Sequence, residues 1–64
     1  MIITKRVVKK RVYEILAGTS IDNAEVVSWV LGGSIFERGL RLWCVRYAIY
    51  NGGDYKGLLR YIKE

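Results

Sequence analysis

Residues 32–53 of the chain read GGSIFERGLRLWCVRYAIYNGG, and this stretch decides the fold. A glycine pair stands at each end, and glycine ends helices readily because it adopts the left-handed backbone conformation at little cost. Ser34 and Glu37 have the S-x-x-E spacing of a capping box, which marks the start of a helix. The apolar residues that follow recur at helical spacing. The sequence therefore predicts one long helix over residues 35–50.

This third helix of the chain carries apolar residues on two opposite sides, at about 100° per residue. We name one side the aromatic face, which consists of Phe36, Leu40, Trp43, Tyr47 and Tyr50. We name the other side the aliphatic stripe, which consists of Ile35, Leu42, Val45 and Ile49.

A helix that is apolar on two sides is normally buried on two sides. One interpretation is a central helix with the other three helices packed around it. The alternative is that one side packs in the core while the other contacts a partner protein or a second copy of the chain. For that alternative we predict an interface that comprises Trp29, Ile35, Arg38, Leu42, Val45, Arg46 and Ile49.

The first helix is predicted over residues 5–17, where apolar side chains form one stripe. Thr4 is a suitable N-cap, and Gly18 is placed to end the helix in a left-handed conformation. The β-branched residues 2–4 leave a short strand open as an alternative for the N-terminal segment.

Two further helices have their own start signals. Asp22 followed by Glu25 resembles a capping box, and Asp54 is suited to cap a short helix at the C-terminus. Because the connections are short, sequential helices should be neighbours. We expect an all-α fold over residues 1–64: a compact single-domain bundle of about four short helices with glycine-marked turns and a short N-terminal extended segment.

Several functional classes are excluded by residues that the chain lacks. It has 64 residues, no histidine and one cysteine, Cys44. One cysteine cannot form an internal disulfide, and without histidine no His/Cys zinc site can be assembled in one chain. Serine and cysteine mechanisms that need an imidazole base are excluded too. We expect no enzyme, no cofactor, no metal and no small-molecule substrate.

Membrane insertion has little support in the sequence. The longest uncharged stretch, residues 26–36, has 11 residues, whereas a spanning helix needs about 20. Lys9, Lys10 and Arg11 interrupt the place where a signal peptide would have its apolar segment. These observations favour a cytoplasmic protein.

The charge pattern points to an anionic partner. The net charge is +5, and four cations of the first helix are predicted to project to one side, whereas Arg11 points away. Such a face suits a phosphate backbone or another anionic surface, although an ordinary solvated helix face has the same pattern. The predicted binding residues are Lys5, Arg6, Lys9 and Lys10.

A helix–turn–helix is a more specific form of nucleic-acid binding, but it fits poorly. The N-terminal turn of a recognition helix should present polar side chains to base edges. Here that turn is apolar and acidic, and only Arg38 and Arg41 are suitably basic.

Three functions therefore compete. The first is a small basic helical protein that binds nucleic acid without catalysis, as an oligomer. The second is a membrane-active antimicrobial bundle, secreted without a leader and attracted to anionic membranes. The third is a protein–protein adaptor or inhibitor that uses an aromatic helix face.

Overall fold

The computed structural model describes residues 2–64, of which 73% are helical. Within these residues there are four α-helices and no strand, so the predicted all-α bundle is confirmed. The helices are α1 (Lys5–Ile15), α2 (Asn23–Leu31), α3 (Arg38–Asn51) and α4 (Tyr55–Lys63). One 3₁₀ turn, Ile35–Glu37, leads directly into α3.

The predicted capping residues stand where the helices begin. In each case a side-chain oxygen accepts a hydrogen bond from a backbone N–H of the first turn, which satisfies a donor that has no partner inside the helix. The capping residues are Thr4, Asp22 and Asp54 for α1, α2 and α4, and Ser34 for the 3₁₀ turn that leads into α3. Gly18 (φ +83°) and Gly52 (φ +71°) adopt the left-handed conformation at the predicted helix ends.

Four local expectations need correction. The third helix, predicted from residue 35, begins as a 3₁₀ turn and becomes α-helical at Arg38, and the Glu37 carboxylate binds Arg41 and Lys63 instead of the Ser34 amide. The first helix ends at Ile15, two residues before the predicted end, and its last turn closes through the C-cap residue Leu16. Asp22 binds the amide of Ala24, but Glu25 makes no reciprocal capping bond and lies beside Lys56 instead. Residues 2–4 form no strand.

The core is made mainly of β-branched and aliphatic side chains from all four helices. α3 packs against α1, α2 and α4, but these helices do not cover both of its apolar sides, as the interpretation of a central helix required. The fully or almost fully buried apolar residues are Val8, Val12, Leu16, Val26, Val27, Val30, Leu42, Cys44, Val45, Ala48 and Leu59.

Two of the predicted interface residues belong to this core. Leu42 is 5% exposed and Val45 is not exposed at all, because both lie where α3 meets its neighbouring helices. The prediction that these two residues contact a partner is therefore wrong. Of the two apolar sides of α3, the aliphatic stripe supplies Leu42 and Val45 to the core, and most of the aromatic face remains at the surface.

Candidate functional site

The basic side chains of α1 are all exposed, as the charge pattern predicts. They comprise Lys5, Arg6, Lys9, Lys10 and Arg11. None of them forms an ion pair with another described residue of the chain. α1 therefore presents a face of uncompensated positive charge to solvent.

Three of the six cations of α3 and α4 are in a different situation. All three ion pairs among residues 2–64 use cations from these helices: Glu37 pairs with Arg41 and Lys63, and Glu25 pairs with Lys56. The hydrogen bond from Lys63, together with its charge, lowers the pKa of the Glu37 carboxyl below its ordinary value. Two of the six acidic side chains, Glu25 and Glu37, are thus paired with cations of α3 and α4 rather than with those of α1.

A groove of about 730 Å³ runs between α1 and α3. This volume falls within the roughly 300–1,000 Å³ of ordinary ligand sites. Its apolar residues are Ile3, Val7, Ile15 and Leu42. Gly39 allows the N-terminal segment to approach α3, because a Cβ there would lie 3.2 Å from Cδ1 of Ile3.

The polar lining of the groove is mainly basic. Lys10 and Arg11 line it from α1, and Arg46 lines it from α3. Glu14 is the one acidic residue in the lining, so the groove is positive overall. Arg11 thus belongs to this candidate site, although we predicted that it points away from the other cations. The remaining predicted binding residues, Lys5, Arg6 and Lys9, lie on α1 outside the groove.

Aromatic rings stand beside these cations. Trp43 and Tyr50 line the groove, and they are 48% and 75% exposed. The ring of Trp43 stacks on that of Tyr47, with a centroid distance of 5.1 Å and an interplanar angle of 30°. The Arg46 guanidinium lies 5.8 Å from the centroid of the Tyr50 ring. The arrangement brings exposed π-surfaces and positive charge together on one side of the bundle.

The other predicted interface residues differ in exposure and in their contacts. Ile35 and Arg46 are exposed, whereas Ile49 is half-buried against the core. Trp29 is also half-buried, and its ring meets that of Tyr55 edge-on at a centroid distance of 4.9 Å. Arg38 donates a hydrogen bond of 3.0 Å to the backbone carbonyl of Ile3.

Arg41 has a structural position that sequence reasoning missed. Its Nη1 donates a 2.7 Å hydrogen bond to the carbonyl of Trp29 in the last turn of α2, and its guanidinium lies 4.7 Å from the centroid of the Trp29 ring. Gly33 leaves room for this side chain, because a Cβ there would come within 2.4 Å of Arg41 Nε. Since Arg38 and Arg41 both bind backbone carbonyls of the chain, the helix–turn–helix hypothesis loses the two cations it needs.

Cys44 lies in the core on the buried side of α3 and forms no disulfide. Burial raises the pKa of its thiol, which opposes formation of the nucleophilic thiolate. In the part of the chain that the structure describes, no three Cys, Asp or Glu side chains are grouped to hold a metal ion.

Comparison with known proteins adds no identity: the chain matches no protein-family model, no curated protein and no solved structure. Among residues 2–64, no helix has the length and apolar character required to cross a membrane.

Proposed function

We propose that this protein binds nucleic acid through phosphate contacts made by the basic face of α1. The observation that carries the proposal is the difference in charge pairing between the helices. The cations of α1 are exposed and make no ion pair with residues 2–64, whereas three of the cations on α3 and α4 are paired with carboxylates.

Unpaired cations on one helix are suited to a polyanion. Each phosphate that a lysine or arginine neutralises releases condensed counterions, so binding is strong at low salt and weakens steeply as salt rises. Contacts of this kind carry no base specificity. The proposed activity is therefore non-enzymatic and independent of sequence, and we assign it to a cytoplasmic protein.

The test is a salt titration of binding to a fluorescently labelled 20-base-pair DNA duplex, followed by anisotropy. We expect log K to fall linearly with log salt, with a slope of about −0.9 for each phosphate neutralised. A quadruple variant with glutamine at the four predicted positions should bind much more weakly and with a shallower slope. Glutamine is chosen because its helix propensity is close to that of lysine and arginine. The substitutions are Lys5→Gln, Arg6→Gln, Lys9→Gln and Lys10→Gln.

Two single-residue variants with the same change in charge test whether binding depends on the basic face of α1 or only on the net charge of the protein. Lys9→Gln removes an exposed, unpaired cation from α1, and Arg60→Gln removes one from α4. We expect the first to weaken binding more than the second. Equal losses would mean that only total charge matters, and no binding of duplex or single strands at low salt would eliminate the proposal.

The competing functions have direct readouts. A membrane-active bundle would release dye from anionic vesicles, whereas the proposed function predicts that the vesicles stay intact at micromolar protein. Oligomerisation also stays a prediction, and sedimentation velocity of the protein without nucleic acid tests it.

A further inference from the structure

We infer that the groove between α1 and α3 binds single-stranded nucleic acid in preference to duplex, with unpaired bases stacking on Trp43 and Tyr50. This inference rests on the proposed function, because Lys10 and Arg11 of α1 supply part of the attraction to phosphate in the groove. It adds a second set of contacts, made by the aromatic face, that only a strand with accessible bases can form.

The exposed rings are the first step in the argument. Trp43 and Tyr50 occupy one side of α3, seven residues and about two helical turns apart, and both line the groove. Large rings with this much exposure have apolar area that the fold leaves uncovered. A stacked base would cover that area, and stacking tolerates any base because every base has a π-face.

The orientation of Trp43 is the second step. Tyr47, on which its ring stacks, lines a separate smaller hollow between α3 and α4. Tyr47 therefore supports Trp43 from the side away from the groove. A ring held in this way loses less conformational freedom when a base stacks on it, which favours binding.

Charge is the third step, and it selects the occupant. Lys10 and Arg11 stand on one wall of the groove and Arg46 on the other, against Glu14 as the single acid. Cations that flank exposed rings match an alternation of phosphates and bases. An apolar helix in the groove would have to bury these charges. A second copy of this basic chain would be repelled by them.

The preference for single-stranded nucleic acid over duplex follows from the accessibility of the bases. In a duplex the π-faces of the bases are occupied by neighbouring bases, and only base edges are exposed in the grooves. The rings of Trp43 and Tyr50 therefore contribute to binding only when the bases are unpaired. Duplex would be held by phosphate contacts alone.

The experiment compares binding of a labelled (dT)20 strand and a 20-base-pair duplex at the same salt concentration. We expect the single strand to bind more tightly. Trp43→Ala and Tyr50→Ala should each weaken (dT)20 binding about tenfold, which corresponds to the known effect of removing one stacked base, and should change duplex binding less than twofold. Far-ultraviolet circular dichroism checks that each variant is folded.

Tyr61→Ala is the matched control for Tyr50→Ala. Tyr61 is 79% exposed, similar to the 75% of Tyr50, but it lies on α4 outside the groove. We expect Tyr61→Ala to leave (dT)20 binding unchanged. If both tyrosine variants bind (dT)20 with the affinity of the original protein, Tyr50 makes no stacking contact, which contradicts the inference.

Tryptophan fluorescence gives a second readout that does not depend on affinity. The Trp29→Phe variant leaves Trp43 as the single tryptophan, and the Trp43→Phe variant leaves Trp29, which is packed against Tyr55. We expect (dT)20 to quench the fluorescence of the first variant and not that of the second. Duplex should quench neither.

The outcomes distinguish this inference from the proposed function. Equal affinity for single strand and duplex, with no effect of the two alanine variants, would overturn the inference and leave phosphate binding intact. Failure to bind either nucleic acid at low salt would overturn both. A Trp43 response to phosphatidylglycerol vesicles but not to (dT)20 would assign the groove to lipid, and a dimer that Trp43→Ala dissociates would assign it to a second copy; either result contradicts the inference.

Discussion

The two sides of α3 are similar in apolar content but differ in burial. The aliphatic stripe contributes Leu42 and Val45 to the core, whereas Trp43 and Tyr50 remain at the surface. The difference lies in side-chain chemistry. Branched aliphatic side chains pack without polar atoms, whereas tyrosine and tryptophan carry a polar group that needs a partner when it is buried. The helical spacing of the apolar residues therefore shows that a side of α3 can be covered. The residue types help to show whether the core of this chain or another molecule covers it.

The same contrast holds for the arginines of α3. Arg41 lies against α2 and binds the Trp29 carbonyl, while Arg46 lies in the open groove. One cation stabilises the contact between two helices, and the other is available to an external anion. Positions 42 and 43, and positions 41 and 46, therefore give the sharpest tests of the difference between the two sides of α3.

The largest expected effect on stability comes from the neighbouring positions 42 and 43. Leu42→Ala removes a buried side chain and should lower the free energy of unfolding by about 2–5 kcal/mol, a large fraction of the total for a domain of this size. Trp43→Ala should cost about 1 kcal/mol or less, mainly through loss of the stack on Tyr47. Urea unfolding followed by circular dichroism measures both. Equal losses at the two positions would remove the distinction between the two sides.

The next effect comes from the two arginines. Arg41→Ala should lower the free energy of unfolding by about 1.5–3 kcal/mol, because a charge-assisted hydrogen bond to a helix end is lost. Arg46→Ala should change it by no more than about 0.5 kcal/mol, as at other exposed sites. The order should reverse for nucleic acid, where Arg46→Ala weakens (dT)20 binding and reduces the salt slope by about 0.7. A stability loss at Arg46 as large as that at Arg41 would contradict the comparison.

The smallest effect is expected at Glu37, which joins α3 to α4 through Lys63. Its pKa is lowered in the folded state, chiefly by that hydrogen bond. The carboxylate therefore stabilises the fold above the ordinary glutamate pKa, and this contribution disappears as the pH falls through the lowered value. Glu37→Gln should reduce the melting temperature slightly at pH 7, and the difference should shrink as the pH falls below the ordinary glutamate pKa.

Glu14→Gln is the control for this pH dependence, because Glu14 forms no ion pair with residues 2–64. At pH 7, Glu14→Gln should lower the melting temperature less than Glu37→Gln does. A difference between Glu37→Gln and the original protein that persists unchanged into acid would show that the ion pairs of Glu37 are not its cause.

Much of the fold could be predicted from the sequence because local signals agree with one another. Thr4, Ser34 and Asp54 cap helices through bonds within their own first turns, so their roles need no knowledge of distant contacts. Gly52 ends α3 for an equally local reason, whereas Gly18 takes the left-handed conformation in the turn after α1. Helix ends were less accurate: the first helix ends before the predicted residue 17.

The candidate site was predicted only in part. The cations of α1 are evident from the sequence, because five of them occur within seven residues. Their grouping was partly wrong, since Arg11 joins Lys10 in the groove, and that groove exists only because α1 packs beside α3. The aromatic face was recognised as a pattern, but its exposure depends on where the other three helices lie.

The sequence by itself determined the four helices, their caps and turns, and the basic character of α1, because these follow from propensity, local hydrogen bonds and charge along the chain. Only the tertiary structure decided which side of α3 is buried and which cations are paired. Those properties depend on contacts between residues far apart in sequence, such as the hydrogen bond from Arg41 to Trp29 and the ion pair of Lys63 with Glu37. The groove that combines Lys10, Arg11 and Arg46 with Trp43 and Tyr50 is a product of that packing.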